Sequence, residues 1–213
     1  MSTFETVLNL TGFKKPRKDT VEREKLGKVL EAGRNTPSPG NVQTLEFIVI
    51  ESGGQLEIVS KILGDNRIED APATIAVVSD LERMERRLGK PPREFCTAES
   101  AAAVQNMRLV AEEEGLSSVW KTGFDTEAVS EQLDVPDGKE VMATVTLAYT
   151  DNPVHSDPRF GMNQVAFYDK YGHQVGSFFD SMHWKGLKEE KRIFGKKKRG
   201  VISRLRKKLE EVL

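Results

Sequence analysis

The sequence predicts an α+β fold in one main domain, and three observations carry that expectation. Phe47-Ile48-Val49-Ile50, Thr74-Ile75-Ala76-Val77-Val78 and Val141 to Tyr149 are short apolar runs of strand length. Around them lie segments whose apolar residues recur at helical spacing, the strongest being the alanine-rich stretch Ala98 to Glu114. A length of 213 residues suits one well-packed domain better than two.

Taken in order, Phe4, Val7 and Leu8 stand at i, i+3 and i+4, which predicts a short helix with one apolar stripe. The basic run Lys14, Lys15, Arg17, Lys18 follows. Asp19 or Thr20 is placed to cap a second helix, with Glu22 as a capping-box carboxylate, Leu26, Val29 and Leu30 on the buried face and an end near Gly33. Arg34 to Gln43 then reads as a kinked polar loop. Two prolines and a glycine restrict its backbone, while Ser38, Asn41 and Gln43 offer donors and acceptors from a rigid frame. The plain alternative is an ordinary helix-to-strand turn. The two following runs suit strands covered on both faces, joined by a short helix that turns at Gly64-Asp65-Asn66.

Residues 80 to 97 carry alternating charge and then Gly-Lys-Pro-Pro, so a polar excursion between core elements is expected there. Val104, Met107 and Ala111 mark the buried face of the alanine-rich helix, which Gly115 ends. Trp120 at the junction beyond reads first as a core aromatic. Asp125 is placed to cap a helix containing Ala128, Val129 and Leu133, and Pro136-Asp137-Gly138 turns the chain into its clearest strand.

Composition removes several classes of function. Cys96 is the single cysteine, so an intrachain disulfide and a CxxC redox or zinc framework are excluded. Histidines at 155, 173 and 183 have no i, i+4 pairing, which argues against a metal site. No run has signal-peptide or membrane-spanning character, and a cytoplasmic protein is expected. The formal charge of -1 hides a polarity: Lys185 to the end carries +8 and the remainder -9. Val201, Ile202, Leu205, Leu209, Val212 and Leu213 fall on one helical face of that tail, which predicts a basic amphipathic helix over 195–213, separate from a domain of residues 1–194. Such a helix docks, most simply on a partner subunit. Without an aromatic platform it argues against single-stranded nucleic acid.

The pattern P-S-x-x-N-x-Q at 37–43, followed by a buried strand, resembles the flavin-contacting segment of the nitroreductase family. Asp70 to Val78, Ala101 to Met107 with Glu112 to Trp120, and Trp120-Lys121-Thr122-Gly123-Phe124 resemble later segments of that family in the same order. The resemblance covers roughly residues 4 to 172 and implies a nitroreductase-like α+β fold. In that fold a central mixed sheet is surrounded by helices, and a C-terminal extension embraces the partner subunit of a homodimer. It implies FMN at the interface, with Pro37, Ser38, Asn41 and Gln43 on one side and the Thr122 and Gly123 backbone near flavin N5. An amide at N5 would stabilise charge on the reduced ring, as in an oxyanion hole. Gly123 would matter because a side chain there would hold the backbone away.

For the phosphate, the resemblance puts Thr11, Gly12 and Lys14 where the family often has Arg, Ser and Arg, so the pattern is altered and Lys14 is left as a point charge. Arg159 matches the family's late basic residue. Glu99 stands where the family often has Asp and reads as an acidic residue near a helix N-terminus. The implied activity is transfer of a hydride from NAD(P)H through flavin N5 to a small acceptor such as a nitroaromatic, quinone or enone. No side-chain catalyst and no metal ligand are expected. The competing expectation is a non-catalytic or deazaflavin-binding module whose basic tail contacts an anionic partner.

Overall fold

The runs at 73–80 and 139–148 become inner strands because they are too apolar to leave a face in water, whereas the run at 45–50, expected to be covered on both faces, takes the sheet edge and is only partly buried at five of its six positions. The computed structural model describes residues 2–89, 92–157 and 159–173, and divides into compact units of residues 1–156 and 157–213. In the first unit the strands β1 (Thr11–Phe13), β2 (Leu45–Ile50), β3 (Ala73–Asp80), β4 (Ser117–Lys121), β5 (Lys139–Ala148) and β6 (Pro153–His155) form two sheets. The main sheet has the order β2-β3-β5-β4, and β1 pairs with β6. The expected α+β class holds, but every described strand pair is antiparallel rather than mixed.

Strand β3 is buried at all eight positions, as its continuous apolar run predicts. Its alternation feeds two cores. Ile75 and Val77 join Leu26, Val29, Val104 and Met107, from α2 (Arg23–Arg34) and α5 (Pro92–Glu113). Ala76 and Val78 join Leu56, Val59 and Val129, from α3 (Gly53–Leu63) and α6 (Thr126–Gln132). The sheet therefore lies between two helical layers. A bulge sets the register: Val77 faces Ala143 but Val78 faces Val141, so Met142 is skipped and Val141 changes face to enter the second core.

Other expectations are corrected. Glu22, not Asp19 or Thr20, occupies the N-cap of α2 and makes no side-chain cap, because Asp19 is taken by Arg17 at 2.6 Å and Glu22 accepts from the Tyr149 hydroxyl. The expected polar excursion is instead α4 (Leu81–Leu88) and the first part of α5. Met84 and Cys96, both buried, supply the few apolar anchors that such charged helices need. Strand β4 was hidden from the pattern by buried Ser117 and Ser118. Helix α1 (Thr3–Asn9) forms with a Ser2/Glu5 capping box, yet its stripe of Phe4, Val7 and Leu8 is about half exposed and Thr6 is the buried residue. The second unit contains α7 (Met162–Val165) and a turn in which the Phe167 and Tyr171 rings lie 4.6 Å apart. The predicted tail helix over 195–213 lies outside the described residues.

Candidate active site

The loop after α2 is built from its two ends. Thr36 is buried and accepts from Asn106 Nδ2 of α5 at 3.1 Å. At the other end Thr44, also buried, donates its N–H to Glu99 Oε1 at 3.2 Å and its hydroxyl to Glu99 Oε2 at 2.8 Å. Between them Ser38 starts a 3-10 turn, and Gly40, Asn41 and Gln43 adopt φ of 58°, 54° and 57°. Two of these left-handed residues carry side chains, a conformation that persists only where surrounding contacts enforce it. The contacts are visible. Ser38 Oγ accepts from the Gln43 amide at 2.7 Å, Gln43 Nε2 donates to Asn41 Oδ1 at 3.0 Å, and Arg83 of α4 donates to the Gln43 carbonyl at 2.8 Å. Leu88 covers Gly40 so closely that a Cβ there would lie 2.8 Å from it. Pro37, Asn41 and Gln43 remain exposed, and Ser38 is half-buried.

The second loop leaves β4. Thr122 and Gly123 are exposed, Gly123 has φ of 72°, and open space lies where its Cβ would be. Phe124 packs against the second core, and Asp125 caps α6 by accepting from the Ala128 amide at 3.1 Å, as expected from the sequence. The Thr126 hydroxyl donates to Glu140, which also receives the Arg93 guanidinium. Burial pushes the Glu140 carboxyl up, but the bonds from Arg93 and Thr126 outweigh it and hold the group below the usual range. Trp120 is 38% exposed rather than a core aromatic, because β4 is an edge strand of the main sheet.

Strand order determines how these loops relate. Leu45 pairs with Ser79, Ser79 with Glu140, and β4 ends at Lys121 while running toward that same end of β5. Both loops thus leave toward one end of the sheet, from opposite edges three strand spacings apart, with β4 ending level with Thr144 rather than Glu140. Strand β1 follows β4 in step: the Thr11 and Ser117 hydroxyls are 2.7 Å apart and Phe13 clusters with Val119. This carries exposed Lys14 along the same edge as Thr122 and Gly123. Thr11 is committed elsewhere, donating its amide and hydroxyl to Glu112 at 2.7 and 2.8 Å. Arg159 is exposed and belongs to the second unit.

An open cleft at the other end of the sheet, between Arg17, Lys18, Glu22, Lys25 and Tyr149, contains none of the predicted site residues. Its cations are already partnered: Lys25 donates to the Glu114 carbonyl and the Tyr149 hydroxyl, Arg17 pairs with Asp19, and Lys18 with Asp70. The sequence reading missed Arg83, Leu88 and Glu140 as supports of the two loops. It also misplaced Glu99, which lies well inside α5 because that helix starts at Pro92, and which is buried against Thr44 rather than standing at a helix N-terminus.

Fold and loops together define an α+β protein whose sheet lies between two helical layers, with a split, backbone-rich candidate site toward one end of that sheet. The chain belongs to the nitroreductase family, a flavin-dependent class of NAD(P)H oxidoreductases, whose model matches residues 15–66 and 59–149. A relative from Archaeoglobus fulgidus, provisionally named NADH dehydrogenase/NAD(P)H nitroreductase, is 28% identical over 153 residues, covering 68% of this chain and 85% of the relative. The solved structure of a nitroreductase family protein from Clostridium difficile has 26% identity and a TM-score of 0.68, covering 80% of this chain and 99% of that one. The NADPH:FMN oxidoreductase of Vibrio harveyi, solved with NAD+, shares the fold at 20% identity and a TM-score of 0.72, covering 84% of this chain and 82% of that one.

Proposed function

We propose that the protein is an FMN-dependent oxidoreductase that takes reducing equivalents from NAD(P)H and passes them to a small nitroaromatic, quinone or enone acceptor. The observation that carries this reading is the placement of two rigidly clamped loops at one end of the sheet but on opposite edges. A flat ring held by both loop types then draws one loop from each of two copies, which makes the working unit a homodimer. The residues fit FMN on the ring side. Gly123 presents an exposed backbone with no side chain beside it, and Asn41 and Gln43 present exposed amides on a fixed backbone.

When bound, FMN supplies the hydride-accepting and hydride-donating centre. The chain's part is orientation. The Thr122 and Gly123 backbone would face N5, and Pro37, Ser38, Asn41 and Gln43 would hold the ring, with the Ser38 hydroxyl already used as an acceptor inside its own loop. Lys14 and Arg159 are the candidate phosphate charges, and their substitution by alanine is expected to weaken FMN binding in a salt-dependent way. No protonatable side chain is assigned to catalysis. Among the described residues no helix is long and apolar enough to cross a membrane, and a cytoplasmic setting agrees with the single buried thiol.

One observation favours a second reading: Thr11 spends its amide and hydroxyl on Glu112, so the N-terminal phosphate pattern is altered in geometry as well as in sequence. A deazaflavin or a non-catalytic role with an anionic partner for the basic tail would follow. Absorption spectra after incubation with FMN and desalting separate the readings. Retained flavin bands, with NADH or NADPH oxidised in the presence of a quinone or nitroaromatic, support the oxidoreductase. A colourless protein that oxidises neither would end that proposal.

A further inference from the structure

We propose that Glu99 is a positioning residue that holds the 38–43 loop in its binding-ready shape by gripping Thr44; the inference rests on the flavin reading of that loop. Glu99 is 3% exposed and Thr44 is fully buried. Each carboxylate oxygen takes one hydrogen of the same threonine, Oε1 the backbone N–H at 3.2 Å and Oε2 the hydroxyl at 2.8 Å. Burying a carboxylate is costly, and a strand start needs only a single neutral acceptor for its first amide. The two-point grip does more than satisfy an amide, because it fixes both the backbone and the χ1 of Thr44.

What it fixes lies immediately before. Gly40, Asn41 and Gln43 hold three left-handed conformations within four residues. Asn41 and Gln43 would relax toward ordinary backbone if the chain end beyond them were released. The Thr36 end is tied by neutral bonds, its amide donating to the Gly33 carbonyl at 3.2 Å and its hydroxyl accepting from Asn106, and the Gln43 carbonyl by Arg83, whose side chain is 44% exposed. The Thr44 carbonyl also accepts from the Asp80 amide at 3.0 Å, and the bonds from Thr44 to Glu99 add the charge-assisted restraint that fixes its amide and side chain. Loosening them lowers the fraction of molecules whose loop is competent, and apparent cofactor affinity falls by that fraction.

The experiment uses the full chain with Glu99→Gln, Thr44→Val, Thr44→Ser and the double variant E99Q/T44V. Amide hydrogen exchange is followed on cofactor-free protein, and FMN dissociation constants come from flavin fluorescence quenching. In E99Q, exchange across residues 38–44 is expected to quicken about ten-fold relative to β3, with FMN binding weakened about ten-fold. T44V should act in the same direction, T44S should retain wild-type values, and the double variant should add little to E99Q because both remove one interaction. If E99Q unfolds, the T44V and T44S pair decides alone. Unchanged loop exchange and unchanged FMN affinity in folded E99Q and T44V would overturn the positioning role. If wild-type protein binds no FMN while loop exchange still quickens in E99Q, the flavin reading falls and the clamp on the loop stands.

Discussion

Gly40 and Gly123 illustrate how single residues shape the site. Both are left-handed, at φ of 58° and 72°, yet their surroundings differ, with Leu88 against Gly40 and open space beside Gly123. Gly40→Ala is expected to cost about 1–2 kcal/mol for the left-handed backbone, with an added cost as Leu88 gives way. Urea unfolding measures it. Gly123→Ala should cost no more in stability, but should weaken flavin retention further, since a methyl group would stand beside the exposed backbone. Cys96 makes a separate residue-scale prediction. Burial pushes its thiol up, so it should resist a thiol reagent in native protein and react fully in denaturant. Rapid modification of the native chain would contradict its buried placement.

At the scale of elements, legibility followed the source of each element's stability. Strand β3 was legible because continuous burial requires a continuous apolar run, and α6 because Asp125 caps it locally. Strand β4 and helix α4 were not, since their patterns make sense only against neighbours: two buried serines in one, a single buried methionine among charges in the other. Helix α4 also supports the site. Asp80 caps it by accepting from the Arg83 amide at 2.7 Å and pairs with the Arg83 guanidinium at 3.3 Å. Asp80→Ala is expected to cost about 1–2 kcal/mol in unfolding free energy. It should also free Arg83, so that the Gln43 carbonyl loses its partner and flavin binding weakens while β5 remains protected from hydrogen exchange.

For the whole molecule, acid stability follows from carboxylates held below their ordinary values. Bonds from Arg34 and then Asn35 lower Glu31 from 4.5 to about 2, Arg67 lowers Asp65, and Arg93 with Thr126 overcomes burial at Glu140. The unfolded chain binds more protons than the folded one in this range, so stability rises with pH there. The Glu31 contribution is present above about pH 4.5 and is lost as pH falls toward about 2, and those of Asp65 and Glu140 fade in the same direction on acidification. Denaturant titrations from pH 6 to pH 2.5 should show the loss, and E31Q, D65N and E140Q should each flatten the curve. Sedimentation of the flavin-loaded protein should report a dimer; a monomer that retains FMN would refute the two-copy site.

The chain alone determined the α+β class, the central strands and the kinked segment 37–43, because apolar periodicity and proline-glycine chemistry act over a few residues. It also carried the family resemblance. Only the tertiary structure decided that Glu99 grips Thr44, that Glu140 supports the second loop, that Thr11 is spent on Glu112, and that the two loops share one sheet end on opposite edges. Those facts depend on strand order and on contacts between residues as many as 101 positions apart, and no local pattern encodes them.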